Sequence, residues 1–351
     1  MEYAAIIIPT LNRYKHLKRC VESIKENKEA KYTDLYISVD FPPSDKYRDG
    51  YEEVKEYVTT IEGFATLNIY YQEKNLGPGL NRKFLEEKIS VNHDKYVFTD
   101  DDNEFSNNFL SYVNWGLEKF KDDEDIYAIC STSDFEIKVK EADGDYMVLP
   151  AYNPYGTGHW LHKNRKCAAY LAQDIMRPIY KSKHLQDKLL YYSPMIYMCV
   201  ASDTLRKEPA MRGKDDQLTY IDINENIYCI LNDKKCVIPT KIKSRNWGLD
   251  GSGVHSHGGQ NSDYQPSAKL DAEEWGISPI RLTVENEELN RISHKDKFAI
   301  SQKDKRKGKI LYKINAVFGN KIVLKFYKFL RKIYRIIKGK PLKDKQEVMY
   351  G

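Results

Sequence analysis

The first hundred residues alternate between short apolar runs and longer stretches in which apolar side chains recur every three or four positions. Ala4 to Ile8 is an apolar run closed by Pro9, which predicts a strand. Tyr14 to Asn27 then carries Leu17, Val21 and Ile24 at helical spacing. The same alternation continues with a strand at Leu35 to Val39 that ends at Asp40-Phe-Pro-Pro43, and a helix at Tyr51 to Ile61. A strand at Leu67 to Tyr71, a turn at Asn75-Leu-Gly-Pro-Gly79, a helix at Leu80 to Ile89 and a strand at Tyr96 to Thr99 complete the series. Such a pattern predicts an α/β protein with a wound, mostly parallel sheet and helices on both faces, whose ligands gather at the carboxyl ends of the strands. Pro9, Asp40, Asn75 and Asp100 all fall at such ends. The second half is less regular, with a helix expected at Gln217 to Leu231, a strand near Val237 and a Gly/Ser/His-rich loop from Gly248 to Gly259.

The fourth strand runs directly into Asp100, Asp101 and Asp102. Three adjacent carboxylates repel one another, and at the end of a buried strand they call for a cation; a hard divalent ion with oxygen ligands is the natural one. A solvated acidic turn is the plainer alternative.

With 351 residues, 41% hydrophobic and 12% aromatic, the chain can bury one large core or a core plus a smaller lobe. Its six cysteines show no CxxC spacing, which argues against a zinc cluster and a disulfide framework and for a reducing, cytoplasmic setting. The amino terminus lacks the basic leader and apolar length of a signal peptide, and no run of ~18 apolar residues predicts a membrane span. The formal net charge of +5 hides an asymmetry: Lys303 to Lys345 contains sixteen Lys and Arg against Asp304 and Asp344, a balance of +14 that leaves the rest at −9. A basic tail on an acidic body points to a polyanionic surface as its partner.

Taken together, Ile6-Ile-Ile-Pro-Thr-Leu-Asn-Arg13, Asp40, Asn75-Leu-Gly77 and Asp100-Asp-Asp102 resemble the nucleotide-sugar half of a GT-A fold glycosyltransferase, and are most similar to glycosyltransferase family 2. Ile221-Asp-Ile-Asn-Glu-Asn-Ile-Tyr, Cys236-Val-Ile-Pro239 and Arg245-Asn-Trp-Gly-Leu-Asp-Gly-Ser-Gly-Val-His255 resemble the acceptor half, with a spacing also similar to the N-acetylglucosaminyltransferase I type. The resemblance implies a nucleotide-sugar-binding half over residues 1–130, an acceptor-binding and catalytic half over 131–300, and a helical tail over 301–351. It implies Mn2+ or Mg2+ bridging the donor's phosphates, with Asp102 as the direct ligand of the Asp-x-Asp type and Asp100 or Asp101 serving the ribose hydroxyls and metal-bound water. By the same resemblance Pro9, Thr10 and Arg13 border the nucleotide, Asp40 accepts the pyrimidine imide hydrogen, and Asn75 and Gly77 lie against base and ribose. Arg82 is either a phosphate contact or an ordinary exposed helix arginine.

Inverting sugar transfer needs one carboxylate to remove the acceptor hydroxyl proton. The resemblance gives that role to Asp222, although relatives often carry Trp-Asp where this chain has Ile221-Asp222. Asp216 is the rival, with a helix N-cap as its structural alternative. His255, ahead of His257, is a third metal ligand or a phosphate contact, because neutral imidazole ligates manganese. Trp160 and Trp247 either line the acceptor cleft, where sugars stack on indole, or are buried aromatics.

In the tail, Ile322, Phe326, Phe329, Ile333 and Ile336 follow helical spacing while Lys321, Lys325, Lys328, Lys332 and Arg335 take another face. A basic amphipathic helix over 321–338 suits an anionic membrane surface, whereas nucleic acid is excluded as a partner by the acidic body and the lack of a binding motif. The expected protein is thus an inverting, metal-dependent transferase of bacterial surface polysaccharide synthesis, with a UDP-sugar as the expected donor, peripheral to the inner face of the cell membrane and acting on a glycan or lipid-linked acceptor. The alternatives are a sugar-phosphate nucleotidyltransferase, which would need a Gly-rich, Lys-containing phosphate loop after the first strand, and a noncatalytic membrane-bound adaptor.

Overall fold

A computed structural model describes residues 2–132, 146–202, 221–248, 250–252, 270 and 300–337. The expected alternation is present over the first hundred residues. Strand β1 (Ala5–Thr10), helix α1 (Tyr14–Lys25), β2 (Asp34–Val39), α2 (Arg48–Val58), β3 (Thr66–Tyr71), α3 (Pro78–Ile89) and β4 (Lys95–Phe98) follow one another. Then come β5 (Asn103–Phe105), α4 (Phe109–Lys119), β6 (Ile126–Cys130), β7 (Tyr146–Leu149), β8 (Thr157–Trp160) and α5 (Leu161–Leu171). The remaining elements are α6 (Met176–Lys181), α7 (Lys183–Tyr192), α8 (Pro194–Ser202), α9 (Ile221–Leu231), β9 (Lys235–Pro239), β10 (Ser244–Asn246) and α10 (Gln302–Ile337).

Eight strands form one sheet in the order β3-β2-β1-β4-β8-β6-β9-β7. The β3-β2-β1-β4 half is parallel throughout, β8 runs antiparallel to both β4 and β6, and β7 is antiparallel to β9. The period of two along β1 explains why the sheet is covered on both sides. Ile6 and Ile8 pack with Leu17, Val21 and Ile24 of α1, Val54 of α2 and Val113 of α4, whereas Ala5 and Ile7 face Leu85 and Ile89 of α3. Because β1 has β2 on one side and β4 on the other, the chain's winding direction reverses between β1 and β4. In open α/β sheets the loops leaving the carboxyl ends of two such strands diverge, and ligands bind at that reversal.

A second, two-stranded sheet pairs β5 antiparallel with β10, opposing Glu104 to Arg245 and Asn103 to Asn246. That pairing joins residues about 140 positions apart to the segment immediately after the acidic triplet.

The chain divides into two compact units, Met1–Ala168 with Asn232–Asn290, and Ala169–Leu231 with Arg291–Gly351. Both units are discontinuous along the chain. The second unit is helical: Ile179, Leu189, Val200, Ile227 and Tyr312, from α6 to α10, share one buried cluster. Helix α10 extends over 36 residues, and its amino-terminal part belongs to that core. Tyr312 donates to the Tyr197 carbonyl at 2.9 Å, and a Cβ at Gly308 would lie 2.6 Å from the Tyr197 ring, so the two helices touch where that glycine sits. Further along, Phe329 and Ile333 are exposed. No helix among the described residues is long and apolar enough to cross a membrane, and all six cysteines are free.

Candidate functional site

The acidic triplet lies where β4 ends beside the end of β1, and two of its carboxylates, Asp101 and Asp102, are held by residues from β1, the start of α1 and β10. Thr10, the last residue of β1, donates its hydroxyl to Asp101 Oδ2 at 2.7 Å. Arg13, which starts α1, spans two carboxylates: Nη2 pairs with Asp101 Oδ1, and Nη1 lies 2.8 Å from Asp102 Oδ2. From β10, Asn246 Nδ2 donates to Asp102 Oδ1 at 2.6 Å, and the Trp247 backbone N–H donates to the Asp102 carbonyl at 2.8 Å. The loop then passes so close that a Cβ at Gly248 would meet Asp102 Oδ2 at 2.1 Å. Only glycine allows that approach.

Electrostatics follow from this crowding. Burial, and after it the charges of Asp102 and Asp101, push the Asp100 carboxyl up to about 7. Burial also raises Asp101, but the Arg13 charge and the Thr10 and Arg13 hydrogen bonds oppose it. Arg13 is itself held far above its ordinary value; burial works against its charge, and Asp101 and Asp102 overcome it. Cys20 lies beneath the turn with its thiol 3.7 Å from the Asp100 carbonyl, raised by burial and the neighbouring carboxylates. Three carboxylates with hard oxygen donors, two of them already bridged by a guanidinium, are a chemically suitable seat for a divalent cation. Among the described residues no group of three His, Cys, Asp or Glu side chains is arranged to enclose one, and Arg13 contacts two of the carboxylates.

At the end of β2 a second buried carboxylate is handled differently. Asp40 Oδ1 accepts from the backbone N–H groups of Phe41 (2.9 Å) and Leu76 (2.8 Å). Its Oδ2 accepts from the Gly77 N–H (2.8 Å) and the Asn75 amide (3.2 Å). Four N–H donors occupy the four lone-pair directions of one carboxylate. Burial raises its pKa while the backbone donors from Leu76, Gly77 and Phe41 act in the opposite direction. Gly77 has φ +76°, which L side chains rarely adopt, and this turn brings Pro78 into the first turn of α3. Asp40, Asn75 and Gly77 are thus brought together, with Asp40 pinning the β3–α3 loop.

The other expected residues are scattered. Pro9 pairs with Ser38 in the buried β1–β2 ladder. Arg82 is buried rather than exposed: Nε donates to Glu86 at 2.8 Å, and the guanidinium lies 4.1 Å over the Phe98 ring. Trp160 is 3% exposed and gives its indole N–H to the Leu117 carbonyl at 3.2 Å, below the Lys163 ammonium at 3.8 Å. That is a core position. Trp247 instead borders the triplet, half-buried, donating to Glu104 at 2.6 Å with Arg19 stacked 4.1 Å from its ring. Asp222 lies in the first turn of α9, in the second unit. Asp216, His255 and His257 lie outside the described residues.

Three contributors had no signal in the local pattern. Asn246 and Glu104 acquire their positions through the β5–β10 pairing. His16 of α1 meets Asp250 at 3.0 Å and the Ser252 hydroxyl at 3.3 Å, tethering the start of the Gly-rich loop to the same helix that carries Arg13.

Asp40→Asn should free the β3–α3 loop. An amide presents two hydrogens where two N–H donors now point, so one side of the clamp turns repulsive at a cost of about 1–3 kcal/mol. Hydrogen exchange is the check: the amides of Leu76 and Gly77 should lose protection while those of β1 keep theirs.

Residues 5–172 match the family model described as Glycosyl transferase family 2. No curated protein matches the chain. Among solved structures, the mannosyltransferase PcManGT from Pyrobaculum calidifontis in complex with GDP-Man and Mn2+ is 14% identical, with a TM-score of 0.33 over 48% of this chain and 46% of that one. TarS of S. aureus is 14% identical, with a TM-score of 0.32 over 47% of this chain and 29% of that one. GalNAc-T7 with UDP, GalNAc and Mn2+ is 12% identical, with a TM-score of 0.40 over 68% of this chain and 43% of that one. The matched part is less than half the length of each of these three chains, and likenesses of this size fix neither substrate nor residue roles. The match spans the wound sheet and the acidic turn that closes β4, so the part of the chain that carries the candidate site, residues 5–172, is similar to glycosyltransferase family 2.

Proposed function

We propose that the chain is an inverting glycosyltransferase that moves a sugar from a nucleoside-diphosphate sugar, with UDP the expected carrier, to a hydroxyl of a glycan or lipid-linked glycan. The observation that supports this most is the cation-bridged pair Asp101–Asp102 at the reversal of winding between β1 and β4. The donor set suits a hard ion, so Asp102 is the metal ligand in this reading, with Asp100 and Asp101 serving ribose hydroxyls and metal-bound water and His255 as a further ligand. Bound there, Mn2+ or Mg2+ would supply Lewis-acid stabilisation of the negative charge on the departing diphosphate.

The chain's own residues do the rest. Pro9 and Thr10 form the floor beside the nucleotide, and Asn75 and Gly77 present the loop to base and ribose. Asp40 holds that loop, and of its four donors the Asn75 amide is the longest and the one a base imide would replace. Asp222 is the general base: its carboxylate takes the acceptor hydroxyl proton while the oxygen forms a bond to the anomeric carbon and the bond to the diphosphate breaks. Asp216 is next in line for that role. Trp247 offers the indole face to the acceptor.

Asp102→Asn and Asp222→Asn separate donor binding from chemistry. Calorimetry with the donor nucleotide and Mn2+ should show binding lost in Asp102→Asn and retained in Asp222→Asn, while turnover falls at least ~100-fold in both. Near-normal transfer by Asp222→Asn would remove it as the base.

The same reading assigns the carboxyl-terminal part of α10 to an anionic membrane surface, consistent with exposed Phe329 and Ile333 on a basic helix. Because Tyr312 and Asn315 belong to the helical core, truncation at Lys303 would damage the fold. Phe329→Asp/Ile333→Asp is the better probe: it should abolish co-sedimentation with phosphatidylglycerol vesicles at unchanged melting temperature, and unchanged co-sedimentation would contradict the assignment.

A further inference from the structure

Arg13 is the one ionic partner of the carboxylate pair that is built to move. Four oxygens belong to Asp101 and Asp102; three accept a hydrogen bond from protein, and the fourth, Asp102 Oδ2, lies 2.8 Å from Arg13 Nη1 as an ion pair. Two of the donors are short neutral side chains fixed in strands: Thr10 on Asp101 Oδ2 and Asn246 on Asp102 Oδ1. The other two oxygens, Asp101 Oδ1 and Asp102 Oδ2, are both held by Arg13, through Nη2 and Nη1. A divalent cation that bridges the pair through Asp101 Oδ1 and Asp102 Oδ2, the two oxygens that the guanidinium now bridges, would compete with it for the same place, and two cations on the same oxygens repel. Thr10 and Asn246, short side chains on paired strands, cannot reach far from their present positions. Arg13 can, because its guanidinium is at the end of a flexible stem anchored at the start of α1.

Its alternative partner is near its own backbone. The first turn of α1 carries no acidic residue of its own, so the partial positive charge of the helix amino terminus faces only the carboxylates that other segments bring to it. A diphosphate bound beside that terminus would give the displaced guanidinium the planar, two-pronged oxygen acceptor that it leaves behind on the aspartates.

The geometry points to Arg13 as an exchangeable counter-cation: it neutralises Asp101 and Asp102 before the divalent ion binds, and transfers to the donor diphosphate as the ion takes its place. This rests on the triplet being the divalent-cation site of the proposed transferase. The consequence is thermodynamic. The ion alone must displace an internal ion pair with nothing to receive the guanidinium, so it binds weakly. With nucleoside diphosphate present the arginine has a new partner, so each ligand strengthens the other by the same factor.

Mn2+ binding to the full-length protein, followed by the electron paramagnetic resonance of free Mn2+ with and without UDP or GDP, tests this independently of turnover. In the unaltered protein one of the nucleotides should raise Mn2+ affinity at least about 10-fold. In Arg13→Ala, Mn2+ alone should bind at least about 10-fold more tightly than in the unaltered protein, and the nucleotide enhancement should shrink toward unity. If Arg13→Ala fails to fold, Arg13→Lys, which keeps the charge but loses the two-pronged grip, should show the same changes at smaller size. Nucleotide-enhanced Mn2+ binding in the unaltered protein with no gain in the Arg13 variants would overturn the exchange while leaving the metal site standing. Absence of Mn2+ binding in every protein, with or without nucleotide, would overturn both.

Discussion

Placing three successive carboxylates at the end of a buried strand is the constraint around which the first unit is arranged. Two like charges about 4 Å apart repel by roughly 4 kcal/mol at an effective dielectric constant of about 20, so the turn after β4 stands only with donors and cations converging on it. They come from three places: Thr10 at the end of β1, Arg13 at the start of α1, and Asn246 with the Trp247 backbone from β10. Each depends on larger structure. The parallel pairing of β1 with β4 sets Thr10 beside Asp101, and the antiparallel pairing of β5 with β10 carries Asn246 to Asp102.

The neighbouring strand end makes an instructive contrast. Asp40 is as buried as Asp101 and Asp102, yet backbone and amide N–H groups satisfy it. A carboxylate saturated by neutral donors from one loop stabilises that loop. A pair neutralised by one guanidinium is stable but exchangeable, because a stronger cation competes for the same oxygens. The two solutions match a division of labour in which Asp40 shapes the pocket and the triplet holds the charge.

The wound half of the sheet was legible because its signals are local. Period-two strands, period-3.6 helices and a polar residue at each carboxyl end recur without interruption from Ala4 to Asp102, and their burial on both faces follows from β1 alone. Asp40, Asn75 and Gly77 were legible for the same reason. The contribution of Asn246 was not, since it arises from strands about 140 residues apart with three residues each. Trp160 illustrates the opposite limit: its type suggested a sugar platform, but its place at the end of β8 turns it into the core beneath α4. The helical unit was largely missed because α6, α7 and α8 are short and lie in a tyrosine- and methionine-rich stretch without a clean polar face. In α10, Tyr312 and Asn315 are buried where sequence alone emphasised only the basic, amphipathic half.

The account turns on the acidic triplet being a metal-dependent nucleotide site, and calorimetric titration of the purified protein with UDP, GDP and CDP, each with Mn2+ and with chelator, addresses it most directly. Binding of one nucleotide, present with Mn2+ and absent with chelator, is the predicted result. Binding of none of the three under either condition would contradict it.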